Sequence, residues 1–197
     1  MNFLAHAFLS GNDPDILTGN FIADFIKGKQ ALQTLPSEIA KGVALHRMID
    51  AFTDEHPVVK ESKNRLRPKY RHYAAVIVDV FYDHFLARDW TTYHYQPLET
   101  FASRVYQTIE TNQGVLPEGM RQMFPYMVRG DWLVGYSKVE GISRSLTGMS
   151  RRTTFDSKMD EATFDLIKHE KLFQYEFETF FPDLRDMCKT WLAANTN

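Results

Sequence analysis

From Tyr73 to Leu86 the chain is apolar on nearly every side, contains no glycine or proline, and is broken only by Asp79, Asp83 and His84. A helix with that surface must be buried on most of it, so the remaining segments have to pack around it. The stretch Ala75-Val76-Ile77-Val78 taken alone also reads as a strand. The length of the run and the scarcity of alternating patterns nearby favour helix.

The other segments fit such a wrapping. Gly11-Asn12-Asp13-Pro14 ends a first short apolar helix, and Asp13 or Asp15 caps a second through Ile16, Phe21, Ile22 and Phe25 to Gly28. Pro36-Ser37 supplies a stop and an N-cap. After it Ile39, Val43, His46 and Asp50 recur on one helical stripe, and Leu45, Ile49 and Phe52 on another. Beyond Pro97 come Phe101, Val105 and Ile109, a Met-rich segment from Met120 to Trp132, and a helix from Glu161 to Phe181 with a short piece after Pro182. Phe173, Tyr175, Phe177, Phe180 and Phe181 read as core aromatics. No repeat or flexible linker divides the chain. The expectation is an all-α, compact multi-helix bundle of about six to eight helices, formed as one domain over residues 1–197.

Composition narrows the function classes. With 44% hydrophobic residues, 24% charged residues and a net charge of -2, the chain is neither a disordered acidic protein nor a globally basic nucleic-acid binder. The single cysteine, Cys188, has no intrachain thiol to pair with, which suits a reducing cytoplasm. His6 interrupts the short apolar start and no basic segment precedes it, so no signal peptide is expected. No uninterrupted apolar run approaches the roughly 18 residues of a membrane span.

His46 and Asp50 lie four apart on one helical stripe, within reach of a common ion, and Asp54 extends the stripe. The same pair also suits an ordinary helix-surface hydrogen bond. Asp79 and Asp83 repeat the spacing inside the apolar run, where unpaired carboxylates cost several kcal/mol and call for a metal, an arginine or hydrogen-bond donors. His84 is rotated about 100 degrees from Asp83. His6 and Asp24 are likewise polar residues within apolar helical segments. Helices that carry His and Asp inward build a site for a hard or borderline divalent ion, with manganese or magnesium favoured over structural zinc. The glutamate-histidine spacing of di-iron bundles, the zinc-protease pattern and a phosphate loop are all missing. Separately, Lys60, Lys63, Arg65, Arg67, Lys69 and Arg71 form a local basic run opposed only by Glu61, and Arg151 and Arg152 add cations after an expected helix stop at Gly148. Such runs steer acidic partners or remain solvated surface.

The same residues carry a resemblance. Asn2-Phe3-Leu4-Ala5-His6, Gly19-Asn20-Phe21-Ile22-Ala23-Asp24-Phe25, His46-Arg47-Met48-Ile49-Asp50-Ala51-Phe52-Thr53-Asp54, Asp79-Val80-Phe81-Tyr82-Asp83-His84-Phe85-Leu86 and Gly148-Met149-Ser150-Arg151-Arg152 together resemble the acyl carrier protein phosphodiesterase family. The resemblance implies a fold distantly similar to HD-domain phosphohydrolases and a divalent ion such as manganese. It also implies holo acyl carrier protein as substrate, with release of 4'-phosphopantetheine. No histidine here is directly followed by aspartate, so ordinary HD ligand assignments do not transfer. Local chemistry instead suggests His46, Asp50, Asp79 and Asp83 as ligands, and Asp24 as a further ligand or an acceptor behind them. His6 or His84 is then the general acid, and the basic residues dock the carrier protein. Two alternatives stay open: a phosphohydrolase for a nucleotide or small phosphate ester, and a non-catalytic binder of an acidic partner whose aspartates pair with arginines.

Overall fold

The computed structural model describes residues 1–195, with the side chain of Lys29 left aside. Every regular element among the described residues is helical. The order is α1 (Phe3–Phe8), α2 (Pro14–Ile22), α3 (Gly28–Gln33), α4 (Ser37–Glu55), α5 (Pro57–Tyr70), α6 (Ala74–Arg88), α7 (Trp90–Tyr93), α8 (Leu98–Thr111), α9 (Glu118–Arg129), α10 (Trp132–Gly135), α11 (Val139–Ser150), α12 (Ala162–Lys168) and α13 (Glu170–Asn195). No helix among them is long and apolar enough to cross a membrane.

The apolar run is helix α6, not a strand, and it lies at the centre. Ile77, Val78, Val80, Phe81, Tyr82, Phe85 and Leu86 are all inaccessible to solvent. α13 packs along it through Phe81 against Phe173, ring centroids 5.1 Å apart, and Phe177 stacks on Phe181 at 4.9 Å. Tyr175, expected with these core aromatics, points outward and is 68% exposed.

Among the described residues, thirteen α-helices replace the expected six to eight because short connections and 3-10 turns cut the longer segments. α2 stops at Ile22 and tightens into a 3-10 turn over Ala23–Phe25 instead of continuing to Gly28. Asp13 is its cap, accepting from the Asp15 and Ile16 amides at 2.8 and 3.1 Å, with Pro14 at the first helical position. Ser37 is the first residue of α4 and makes no capping bond. The expected helix from Glu161 to Phe181 is split at His169, and α13 then passes straight through Pro182. Pro182 and Glu178, whose carbonyl it leaves free, are both exposed, so the lost bond falls on the solvent-facing side of the helix. Phe180, Phe181, Leu184 and Cys188 hold the other face in the core. Gly148 likewise lies inside α11, whose last residue is Ser150.

The helix pair that builds the site is α2 and α4. A Cβ placed on Gly19 would lie 1.9 Å from the Ile39 carbonyl oxygen, and one on Gly42 would lie 2.2 Å from that of Ile16. The two backbones therefore touch, and only glycine permits it. That contact brings Asn20 of α2 against His46 of α4.

Candidate metal centre

Four side chains from three segments meet at one end of this crossing. His6 comes from α1, Asp24 from the 3-10 turn after α2, and His46 and Asp50 from successive turns of α4. His46 Nε2 lies 3.2 Å from Asp50 Oδ2 and 3.3 Å from Asp24 Oδ1, and His6 Nε2 lies 3.3 Å from Asp50 Oδ1. Ligand atoms of His6, His46 and Asp50 all fall within 4.8 Å of one another. The imidazoles are stacked, 3.9 Å apart and 15° from parallel. Both histidines are buried, whereas the Asp50 and Asp24 side chains are 45% and 69% exposed. The cluster therefore faces outward into a groove of about 380 Å³ bordered also by Phe25, Asp54, Asp79, Met123, Met149 and Arg152.

One residue orients both rings. Asn20, fully buried, gives its amide hydrogens to the His6 carbonyl and to Ser10 Oγ, both at 2.9 Å, which leaves Oδ1 to accept from His6 Nδ1 at 2.8 Å. Its main-chain oxygen accepts from His46 Nδ1 at 2.8 Å. With both Nδ1 atoms protonated, each ring turns Nε2 toward the carboxylates, the arrangement that frees a histidine nitrogen for a metal. His6 Nε2 is buried and has no hydrogen-bond partner. A buried, unsatisfied imidazole nitrogen is costly unless something fills the gap, and the donor set of two imidazoles and two carboxylates suits a divalent cation.

The charge state fits. Burial disfavours a proton on His46, but hydrogen bonds to Asp24 and Asp50 outweigh it and raise its pKa to about 9. Burial lowers the His6 pKa, with the Asp50 carboxylate only partly offsetting it. Burial also opposes ionisation of Asp50, yet the two histidines hold its carboxyl far below the usual range. The bond to His46 comes first among the causes that hold Asp24 down. Beyond the two Nδ1–H groups the pair therefore carries one further proton, on His46 Nε2, between ionised carboxylates.

The remaining residues singled out in the sequence are distributed differently. Asp79 borders the same groove, where its Oδ1 meets the Met1 α-amino group at 2.8 Å. Asp83 is fully buried away from the groove. Its carboxyl accepts the backbone N–H groups of Asn2, Leu4 and Ala5 at 3.2, 2.8 and 3.2 Å and so caps α1. Burial lifts its pKa to about 7, against the pull of the Met1 ammonium and those donors. His84 gives Nδ1–H to the Tyr136 carbonyl at 2.7 Å and does not border the groove. Neither Asp83 nor His84 reaches the cluster, because each is spent on fixing backbone.

Folding also divides the basic run. Lys63 is buried and meets Asp54 at 2.5 Å, Arg65 clamps Glu176 at 2.7 and 2.6 Å, and Lys69 meets Glu161 and Asp165 at 3.1 Å. Glu176 also accepts a bond from Ser62, so the Arg65 pair ties α5 to α13. Lys60, Arg67, Arg71, Arg151 and Arg152 remain exposed. Local sequence hides this division, since Glu176 and Asp165 are roughly a hundred residues from their partners. Asn20, given no role by the sequence reading, had one available signal: a buried-type polar residue directly following the glycine of a helix crossing.

Fold and site together define an all-helical protein with an outward-facing His-Asp centre of the kind that hydrolytic enzymes use for a divalent ion. Comparison with known proteins narrows the class. The family model described as acyl carrier protein phosphodiesterase matches residues 1–184, and the chain belongs to that family. Proteins of that name from Enterobacter sp. (strain 638) and Escherichia coli O6:H1 (strain CFT073) are similar to it, at 34% identity over 191 residues and 32% over 190. These alignments cover 96% and 95% of this chain, and 98% and 97% of the two relatives. The relative from Pectobacterium atrosepticum is 31% identical over 191 residues. No solved structure matches.

Proposed function

We propose that this protein is a metal-dependent phosphodiesterase that removes 4'-phosphopantetheine from holo acyl carrier protein, leaving the apo form. The observation that carries the metal is the buried His6 Nε2, which makes no hydrogen bond of good geometry and converges with His46 Nε2 and the Asp50 carboxylate, 3.3 Å from it. Membership of the family supports the substrate and the bond class.

His6, His46 and Asp50 would hold the ion, with Asp24 as the fourth ligand, and Asp79 stands across the groove. A bound Mn2+ or Mg2+ supplies Lewis acidity to the phosphodiester and acidity to water. Asn20 accepts from both Nδ1 atoms and so aims both Nε2 atoms at the ion. Asp24, the most exposed carboxylate of the cluster, sits where it accepts a proton from the attacking water. The water oxygen bonds to phosphorus and the bond from phosphorus to the serine oxygen breaks. Its electron pair stays on that oxygen, which takes up one proton. The phosphate leaves as a monoester on pantetheine, and no net proton is consumed. Exposed Lys60, Arg67, Arg71, Arg151 and Arg152 form the surface that docks the acidic carrier.

Intact-mass spectrometry of holo carrier protein incubated with this enzyme tests the reading. Metal-dependent loss of the whole phosphopantetheine group, blocked by chelator, is expected. Unchanged mass with Mn2+ and with Mg2+ overturns it.

A further inference from the structure

Beside the metal groove lies a second depression of about 210 Å³, between the segment Gly130–Tyr136 and helix α11. Met149 and Arg152 border both, so the two are neighbours sharing one rim. Its width is set by backbone. A Cβ built on Gly148 meets no heavy atom within 4 Å, and one on Gly135 meets only Arg144 Nη2, at 3.9 Å, so the space before both residues is open. The floor is closed where Gly141 packs on the backbone of Gly135, a Cβ there falling 1.9 Å from its carbonyl oxygen.

The lining has a particular chemistry. Met149 and the Trp132 ring supply apolar wall. Neither the Trp132 indole N–H nor the Arg144 guanidinium has a hydrogen-bond or ion-pair partner among the described residues. A narrow, largely apolar slot with spare donors and no acidic side chain fits a thin, neutral chain that carries amide carbonyls.

We infer that this cleft is the subsite for the pantetheine arm, with Gly148 and Gly135 as its gauge and Arg144 and Trp132 as donors to the arm's amides. The inference rests on the proposed reaction, in which the scissile phosphate lies at the metal and the arm attached to it has to leave the groove along a wall. The rim shared at Met149 and Arg152 makes the cleft the nearest wall for that exit. It assigns specificity to the shape of α11: a phosphodiester with a short or bulky group in place of the arm forgoes this binding.

The test uses free pantetheine, which lacks the phosphate and so reports the arm alone. Wild-type, Gly148→Leu and Arg144→Gln proteins are compared by calorimetry with pantetheine in the presence of Mn2+, and by the KM for holo carrier protein. Leucine in the open space should weaken pantetheine binding and raise KM by about tenfold to a hundredfold. Arg144→Gln should weaken both to a lesser degree. Helical circular dichroism and the Mn2+ isotherm check each variant's fold, and if Gly148→Leu fails them, Arg144→Gln decides. Pantetheine binding equal in wild type and a folded variant overturns the subsite, whatever the enzyme hydrolyses. Absence of hydrolysis by wild type overturns the proposed reaction, while calorimetry still decides whether the cleft binds the arm.

Discussion

His46 is the residue whose protonation sets how the site takes up metal. With a pKa near 9 it carries a proton at neutral pH, and a cation that binds Nε2 has to displace it. Apparent Mn2+ affinity should therefore rise about tenfold per pH unit up to roughly pH 9 and then level off, with close to one proton released per ion at pH 7, as calorimetry in buffers of different ionisation enthalpy would measure. In metal-free protein the same shift has the opposite consequence for folding. The folded pKa lies above the ordinary 6.5, so the stabilisation is complete below that pH and is lost as pH rises through about 9. Asp83 makes a separate case. An asparagine there keeps one acceptor and turns a donor toward a backbone N–H, so Asp83→Asn should cost about 1–3 kcal/mol in urea unfolding at pH 8 while leaving Mn2+ stoichiometry unchanged. A result in which Asp83→Asn abolishes metal binding would return this residue to the ligand set.

At the level of elements, the crossing of α2 and α4 is what assembles the centre. Gly42→Ala places a methyl group into the Ile16 carbonyl, so the helices must separate. We expect about 1–3 kcal/mol of destabilisation together with a marked loss of Mn2+ affinity, because Asn20 then moves away from His46. Equal metal binding in the variant would show that the crossing does not set the site. The helical character of α6, the stripe that carries His46 and Asp50, and the burial of Phe173, Phe177, Phe180 and Phe181 are all legible in the sequence, since each depends on periodicity within one segment. What is not legible depends on neighbours. Asp79 and Asp83 share a helix and a four-residue spacing, yet one borders the groove and the other caps α1 because different backbone atoms arrive opposite them. His6 reads as an isolated polar residue until α1 is laid against α4. Pro182 reads as a helix stop, and only its solvent-facing position makes the continuation of α13 tolerable.

Across the whole molecule, charge is nearly balanced, and internal pairing withdraws half of the basic run from Lys60 to Arg71. Lys63, Arg65 and Lys69 are committed to Asp54, Glu176, Asp165 and Glu161, so the proposed docking surface rests on Lys60, Arg67, Arg71, Arg151 and Arg152. Exposed charges are screened over about 10 Å at 0.1 M salt. The KM for carrier protein should therefore climb with ionic strength while kcat holds, and charge-neutral Gln substitutions at Lys60, Arg67 and Arg71 should flatten that slope. A KM indifferent to salt would remove the electrostatic surface from the account and leave binding to the groove and cleft.

Asn20 gives the centre a property that neither histidine has alone. Because one residue anchors both rings, the two Nε2 atoms keep their separation when α2 shifts, and they meet an ion as a single two-toothed ligand. Once the first nitrogen has bound, the second is already in place at high effective concentration, its ordering entropy having been spent during folding. The proposed metal capture is in that sense a chelate effect written into one asparagine. Loss of its side-chain amide would release the His6 ring alone, His46 staying on the main-chain oxygen, and the second tooth would no longer be held in place.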